Sequence, residues 1–174
     1  MTIRENLNPI NESTFDLYNL DVDFMSRFNT GKNSENLSTS SEIVRQLEKN
    51  ILKVFISLPM KGRSKAEIQE EILDIKEAFS KEIHKVFPEV NMVFLDSVPF
   101  DEIKDIPEGL AAKDALRGLS NSIGVLAEAE VVVFAPGWTS ARGCDFEHRC
   151  ALGYETERFF LPDNYKNIYS SRKS

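Results

Sequence analysis

With 174 residues, 21 Lys and Arg, 28 Asp and Glu and a net charge of -7, the chain is long enough for one well-packed domain and too short for two of ordinary size. The acidic balance repels a phosphate backbone, so a nucleic-acid polymer is not the expected partner. No apolar stretch approaches the roughly 18 residues that span a bilayer, and Met1-Thr2-Ile3-Arg4-Glu5 opens no signal-peptide core, so a cytoplasmic protein with no membrane partner is expected.

Residues 1–50 read as an N-terminal extension. Phe15, Leu17, Tyr18, Leu20, Val22, Phe24, Met25 and Phe28 give an arm enough apolar surface to dock on its own or a neighbouring subunit, which points toward a homo-oligomer. Phe28 to Ser41 is too polar to offset its ordering entropy and reads as a linker. Thr39 to Glu42 has capping-box spacing, and Ile43, Leu47 and Ile51 recur every four residues, which predicts a short lead-in helix.

The core domain is expected over residues 51–163. Lys53 to Ser57, β-branched and aromatic, predicts a strand that stops at Leu58-Pro59-Met60-Lys61-Gly62-Arg63. A second capping box, Ser64 with Glu67, opens a long amphipathic helix whose Ile68, Ile72, Ile75, Phe79, Ile83 and Val86 share one face. Asn91 to Leu95 is the next strand, and the acidic, proline-containing stretch from Asp96 to Gly109 reads as a loop or lid. A helix from about Leu110 to Ala127 packs Leu116, Leu119, Ile123 and Leu126. Glu130 to Ala135 is a buried strand, Pro136-Gly137-Trp138 a turn, and the following helix carries Glu147 in its first turn. Phe159 to Pro162 is a short last strand, and Asn164 to Ser174 a frayed polar tail. This alternation predicts an α/β fold, a flavodoxin-like three-layer sandwich with a parallel sheet of four or five strands.

Ligands of such folds bind at the carboxyl edge of the sheet. Lys61, Gly62 and Arg63 precede the amino end of a helix, whose dipole and unpaired N–H groups favour a phosphate or carboxylate; a solvated turn is the alternative. Glu147 is expected to face a pocket partly walled by Trp138 and Arg142, as a nucleophile toward an anomeric carbon or a general base; the alternative is a carboxylate that only stabilises its helix. Trp138 suits either stacking on a base or sugar, or core packing. Cys144 and His148 lack further ligands nearby, so neither a metal nor another cofactor is expected. Cys144 and Cys150 point in different directions, which disfavours a disulfide. Ser57 and Ser140 have no partnered base for a hydrolase triad.

Val54-Phe55-Ile56-Ser57-Leu58-Pro59-Met60-Lys61-Gly62, Leu126 to Trp138, and Ser140-Ala141-Arg142-Gly143-Cys144-Asp145-Phe146-Glu147 together resemble the nucleoside 2-deoxyribosyltransferase-like superfamily. The likeness covers residues 53 to about 162 and is nearest to an uncharacterised branch, a domain of unknown function with a strand-Pro-Gly-Trp-x-x-Ser-x-Gly-x-x-x-Glu signature. It implies that Glu147 is the nucleophile that attacks C1′ of a nucleoside or nucleotide. Transfer to another base would make the chain a transferase, and reaction with water a hydrolase of the N-glycosidic bond. It further implies phosphate contacts from Ser57, Pro59, Met60, Lys61, Gly62 and Arg63, and ligand contacts from Gly137, Trp138, Ser140, Arg142 and Gly143. Ser122 stands where the transferases carry an aspartate that handles base protons, and Ser140 near a second, sugar-binding aspartate. The expected partner is therefore a small nucleoside or nucleotide. The alternatives are a nucleotide-binding module that has lost turnover and a scaffold whose N-terminal arm mediates protein contacts.

Overall fold

The computed structural model describes residues 50–169, so the predicted arm and linker, the lead-in helix as far as residue 49, and the end of the tail lie outside the described residues. Four strands, β1 (Ile51–Ser57), β2 (Asn91–Leu95), β3 (Val131–Phe134) and β4 (Glu157–Phe160), form one all-parallel sheet in the order β2-β1-β3-β4. Among the described residues four helices, α1 (Lys65–Val86), α2 (Ala112–Leu126), α3 (Arg142–Gly153) and α4 (Tyr165–Tyr169), complete a flavodoxin-like sandwich. Ile51 departs from the helix expected for it, because its pairing with Asn91 extends β1 toward the N-terminus.

Right-handed crossovers put α1 on one face of the sheet and α2 and α3 on the other. The buried side chains divide accordingly. Val54, Val131, Val133 and Phe159 meet Ile68, Ile75, Phe79 and Ile83 of α1, while Phe55, Val132 and Phe134 meet Leu126 of α2 and Ala151 of α3. β3 is buried along its whole length, as its unbroken apolar run requires of an interior strand.

α1 begins at the predicted capping box. Ser64 Oγ accepts from the Glu67 amide at 3.3 Å, and the Glu67 carboxylate accepts from the Ser64 amide at 2.8 Å. Two backbone donors with no partner inside the helix are thereby satisfied, and hydrogen bonds from Ser64 hold the Glu67 pKa below its ordinary value. At the other end Val86 is 41% exposed, contrary to its expected place on the buried face, because Phe87 turns inward in its stead.

α2 is the larger departure. Its apolar period predicted that Leu116 would pack, yet Leu116 is 65% exposed, and within the helix only Ser122 and Leu126 are buried. β4 begins two residues before the expected Phe159. The tail is not frayed at its start: α4 packs on α1, and Tyr165, 2% exposed, reaches Glu71 at 3.4 Å. Burial beside Glu71 and Asp74 raises the Tyr165 pKa. No described helix is long and apolar enough to cross a membrane.

Candidate functional site

From β1 the chain crosses to β2 on one side, and from β3 to β4 on the other, so the connections diverge between β1 and β3. This is the topological switch point of an open α/β sheet. Ser57 closes β1 there, paired with Phe134 of β3. Strand alternation turns its side chain to the same face as Phe55, toward α3. Its hydroxyl donates to Glu147 Oε2 at 2.5 Å, and Ser122, from α2, stands beside the same carboxylate and favours its charged form.

Glu147 is the sixth residue of α3 and lies in its second turn, not the first, because the stretch Trp138–Ser140 forms a separate 3-10 turn and α3 starts only at Arg142. It is 7% exposed. Burial raises its pKa above the ordinary carboxylate value, opposed by the hydrogen bonds from Ser57 and Ser122, which favour the charged form. Cys144, one helical turn back, shares this environment. Burial pushes its thiol up to about 12, against a hydrogen bond with Ser57 and with the help of the Glu147 charge. A buried carboxyl group hydrogen-bonded by a hydroxyl from another element can serve as a nucleophile or a base once ionised, or as an acid while protonated.

The loop after β3 packs its tryptophan against neighbouring rings. Trp138 is tilted against His148 at 4.5 Å between centroids and lies 5.2 Å from Phe134 and 5.3 Å from Phe160, so it belongs to an aromatic cluster. Within that cluster His148 Nε2 accepts from Arg158 at 3.0 Å, and partial burial followed by the Arg158 charge lowers its pKa. Cys144 and His148 therefore face different surroundings. Arg142 is exposed at the first position of α3, Gly143 is half-buried beside it, and the Ser140 hydroxyl is taken by the Gly137 carbonyl at 2.8 Å. Gly137 adopts φ 81°, and a Cβ there would lie 3.9 Å from the Pro59 ring, so the turn brings the two carboxyl-edge loops together.

The loop after β1 is tied down by its own chain. Arg63 pairs with Glu71 and donates to the Pro59 carbonyl at 3.0 Å, and Lys61 pairs with Glu108 at the surface at 3.3 Å. Met60 packs at the edge of the α1 core. Gly62, at φ 75°, donates to the Ile106 carbonyl at 2.8 Å, and Ile106 donates back to Arg63 at 2.9 Å. The segment from Asp96 to Gly109, irregular apart from a 3-10 turn at Phe100–Glu102, is thereby fastened across this loop.

Under that segment lies a cleft of about 1030 Å³, lined among others by Phe55, Met60, Leu95, Asp105, Ile106 and Ser122. Ser122 thus touches both the cleft and Glu147, and Ile56 and Leu58, the neighbours of Ser57, also line it. Trp138, Arg142 and Glu147 are not among its lining residues. Of the predicted site residues the fold brings Ser57 and Glu147 into a hydrogen bond with Ser122 nearby, places Met60 in the cleft, and leaves Lys61, Arg142 and Ser140 at the surface. Cys144 and Asp105 were not foreseen. The i, i+3 spacing to Glu147 was available for Cys144, but nothing local marks Asp105. No protein family, curated protein or solved structure matches the chain.

Proposed function

We propose that the chain cleaves or transfers the N-glycosidic bond of a nucleoside or nucleotide, with Glu147 as nucleophile. The observation that carries this reading is the carboxyl group of Glu147, buried at the switch point and hydrogen-bonded to Ser57, with Ser122, which also lines the cleft, beside it. A carboxyl group placed against its own solvation preference, beside a cleft at the ligand edge of an α/β sheet, is a candidate for chemistry. The likeness of the Leu126–Trp138 and Ser140–Glu147 stretches to the deoxyribosyltransferase-like signature supports the same assignment.

In this reaction a Glu147 oxygen bonds to C1′, the C–N bond breaks, and the base leaves with the bonding pair and takes a proton from solvent. Water, or a second base, then attacks C1′ and releases the carboxylate. Ionisation is required for attack, so release of free base should rise with pH through a value above the ordinary 4.5 of a glutamate. The test is incubation with 2′-deoxynucleosides and their 5′-monophosphates over a pH series. Base release that persists unchanged in Glu147→Gln sinks the assignment.

One observation favours a second reading, a binding module without turnover: the group beside Glu147 from α2 is the hydroxyl of Ser122, a poor proton donor to a leaving base. In that case a nucleoside raises Tm without any free base appearing.

A further inference from the structure

We infer that the cleft excludes anions, so that its ligand is an uncharged nucleoside, not a phosphate ester, and that Asp105 enforces this choice. The inference rests on the nucleoside reading above and narrows it. The amino end of α1, where the sequence points to a phosphate, is already filled by carboxylates of the chain itself. The Lys65 amide donates to Asp105 Oδ1 at 2.6 Å, and the Ser64 amide to Glu67 Oε2 at 2.8 Å. The Gly62 amide is spent on Ile106 at 2.8 Å. The cations of the loop are similarly engaged, Arg63 by Glu71 and Lys61 by Glu108.

The cleft itself carries the same sign. Its charged lining residues are Asp96, Asp101, Glu102 and Asp105 against Lys65 and Lys104; Asp96 is paired with Lys76 at 3.6 Å, which leaves three carboxylates to two ammonium groups. The Lys65 ammonium is bonded to the Asp101 carbonyl at 2.9 Å. A phosphate entering here would have to displace Asp105 from the helix end and stand among carboxylates. Each like charge at contact distance weakens binding about fivefold even in water, and more in a drier cleft. A neutral sugar and base face no such repulsion, and the apolar Phe55, Met60 and Leu95 suit their flat surfaces.

The experiment compares kcat/KM for base release from 2′-deoxynucleosides and their 5′-monophosphates, using the full chain and its Asp105→Asn variant. In parallel, Tm is followed against inorganic phosphate, with chloride at equal ionic strength as reference. The unsubstituted chain should favour the nucleoside by about 25-fold, the two-charge product of the repulsion above. Asp105→Asn should shrink that ratio by about fivefold, the scale of one charge at a helix end. Phosphate should leave the Tm of the unsubstituted chain in place and raise that of Asp105→Asn. A preference for the monophosphate, or a phosphate-dependent rise in Tm without the substitution, overturns the exclusion. An Asp105→Asn variant that behaves like its parent overturns the role of Asp105. Should no base be released from any compound, the catalytic reading falls, and the phosphate arm still decides the exclusion.

Discussion

The two faces of the sheet are built for different purposes. On the α1 face, Ile68, Ile75, Phe79 and Ile83 close over Val54, Val131 and Val133 with no more than 1% of any of them exposed. On the other face the apolar layer is smaller and is interrupted by Ser57, Ser122, Cys144 and Glu147, and α2 leaves Leu116 in solvent. Apolar burial dominates folding energetics. A buried carboxyl group works against them and persists where its hydrogen bonds and surroundings hold it. Among the described residues, three of the four buried polar side chains, Ser57, Ser122 and Glu147, thus lie on the second side, and the fourth, Glu82 of α1, pairs with Lys85.

The strongest challenge to this division is Phe79→Ala, which removes a buried ring stacked edge-on to Phe159 at 5.2 Å. It should cost about 3–5 kcal/mol in urea denaturation, and a loss below about 1 kcal/mol would mean that the α1 face does not carry the core. Next comes Glu147→Gln, read as stability against pH. Burial raises the Glu147 pKa in the folded chain, so the folded state holds its proton more tightly than the unfolded state. Its favourable contribution is complete below the ordinary carboxylate value and is lost as pH rises through the raised one. Gln keeps the acceptor for Ser57 without the charge. The variant should therefore gain on the parent as pH rises from 4 to 8, and a gain that instead grows toward low pH would place the carboxyl in a charge-stabilising site. The smallest effect is expected from Leu116→Ser, within about 0.5 kcal/mol for an exposed position. A larger loss, or a change in sedimentation, would mean that the open side of α2 is covered in solution.

What could be read from the sequence follows from the range over which each interaction acts. The capping box at Ser64 and the buried run of β3 are written in neighbouring residues, and both appear where expected. Apolar periodicity placed α1 and α2 equally well, but a period says that a helix has two sides and not what lies against them, so Leu116 was misjudged. Glu147 could be singled out, whereas the bond that gives it meaning joins it to Ser57 across a separation of 90 residues. The loop after β1 carried cations, and their neutralisation by Glu71 and Glu108 depends on tertiary pairing. Sequence located the groups; only the fold assigned their partners.

Glu71 has one more implication. Its carboxylate is shared by Arg63 from the loop after β1, Tyr165 of α4, and, at 3.8 Å, Lys166. The ligand-side loop and the last described helix are therefore fastened to a single rivet on α1, although about a hundred residues of chain lie between them. Loss of α4, as by cleavage near Asn164, would leave the Glu71 carboxylate with Arg63 alone of these three partners.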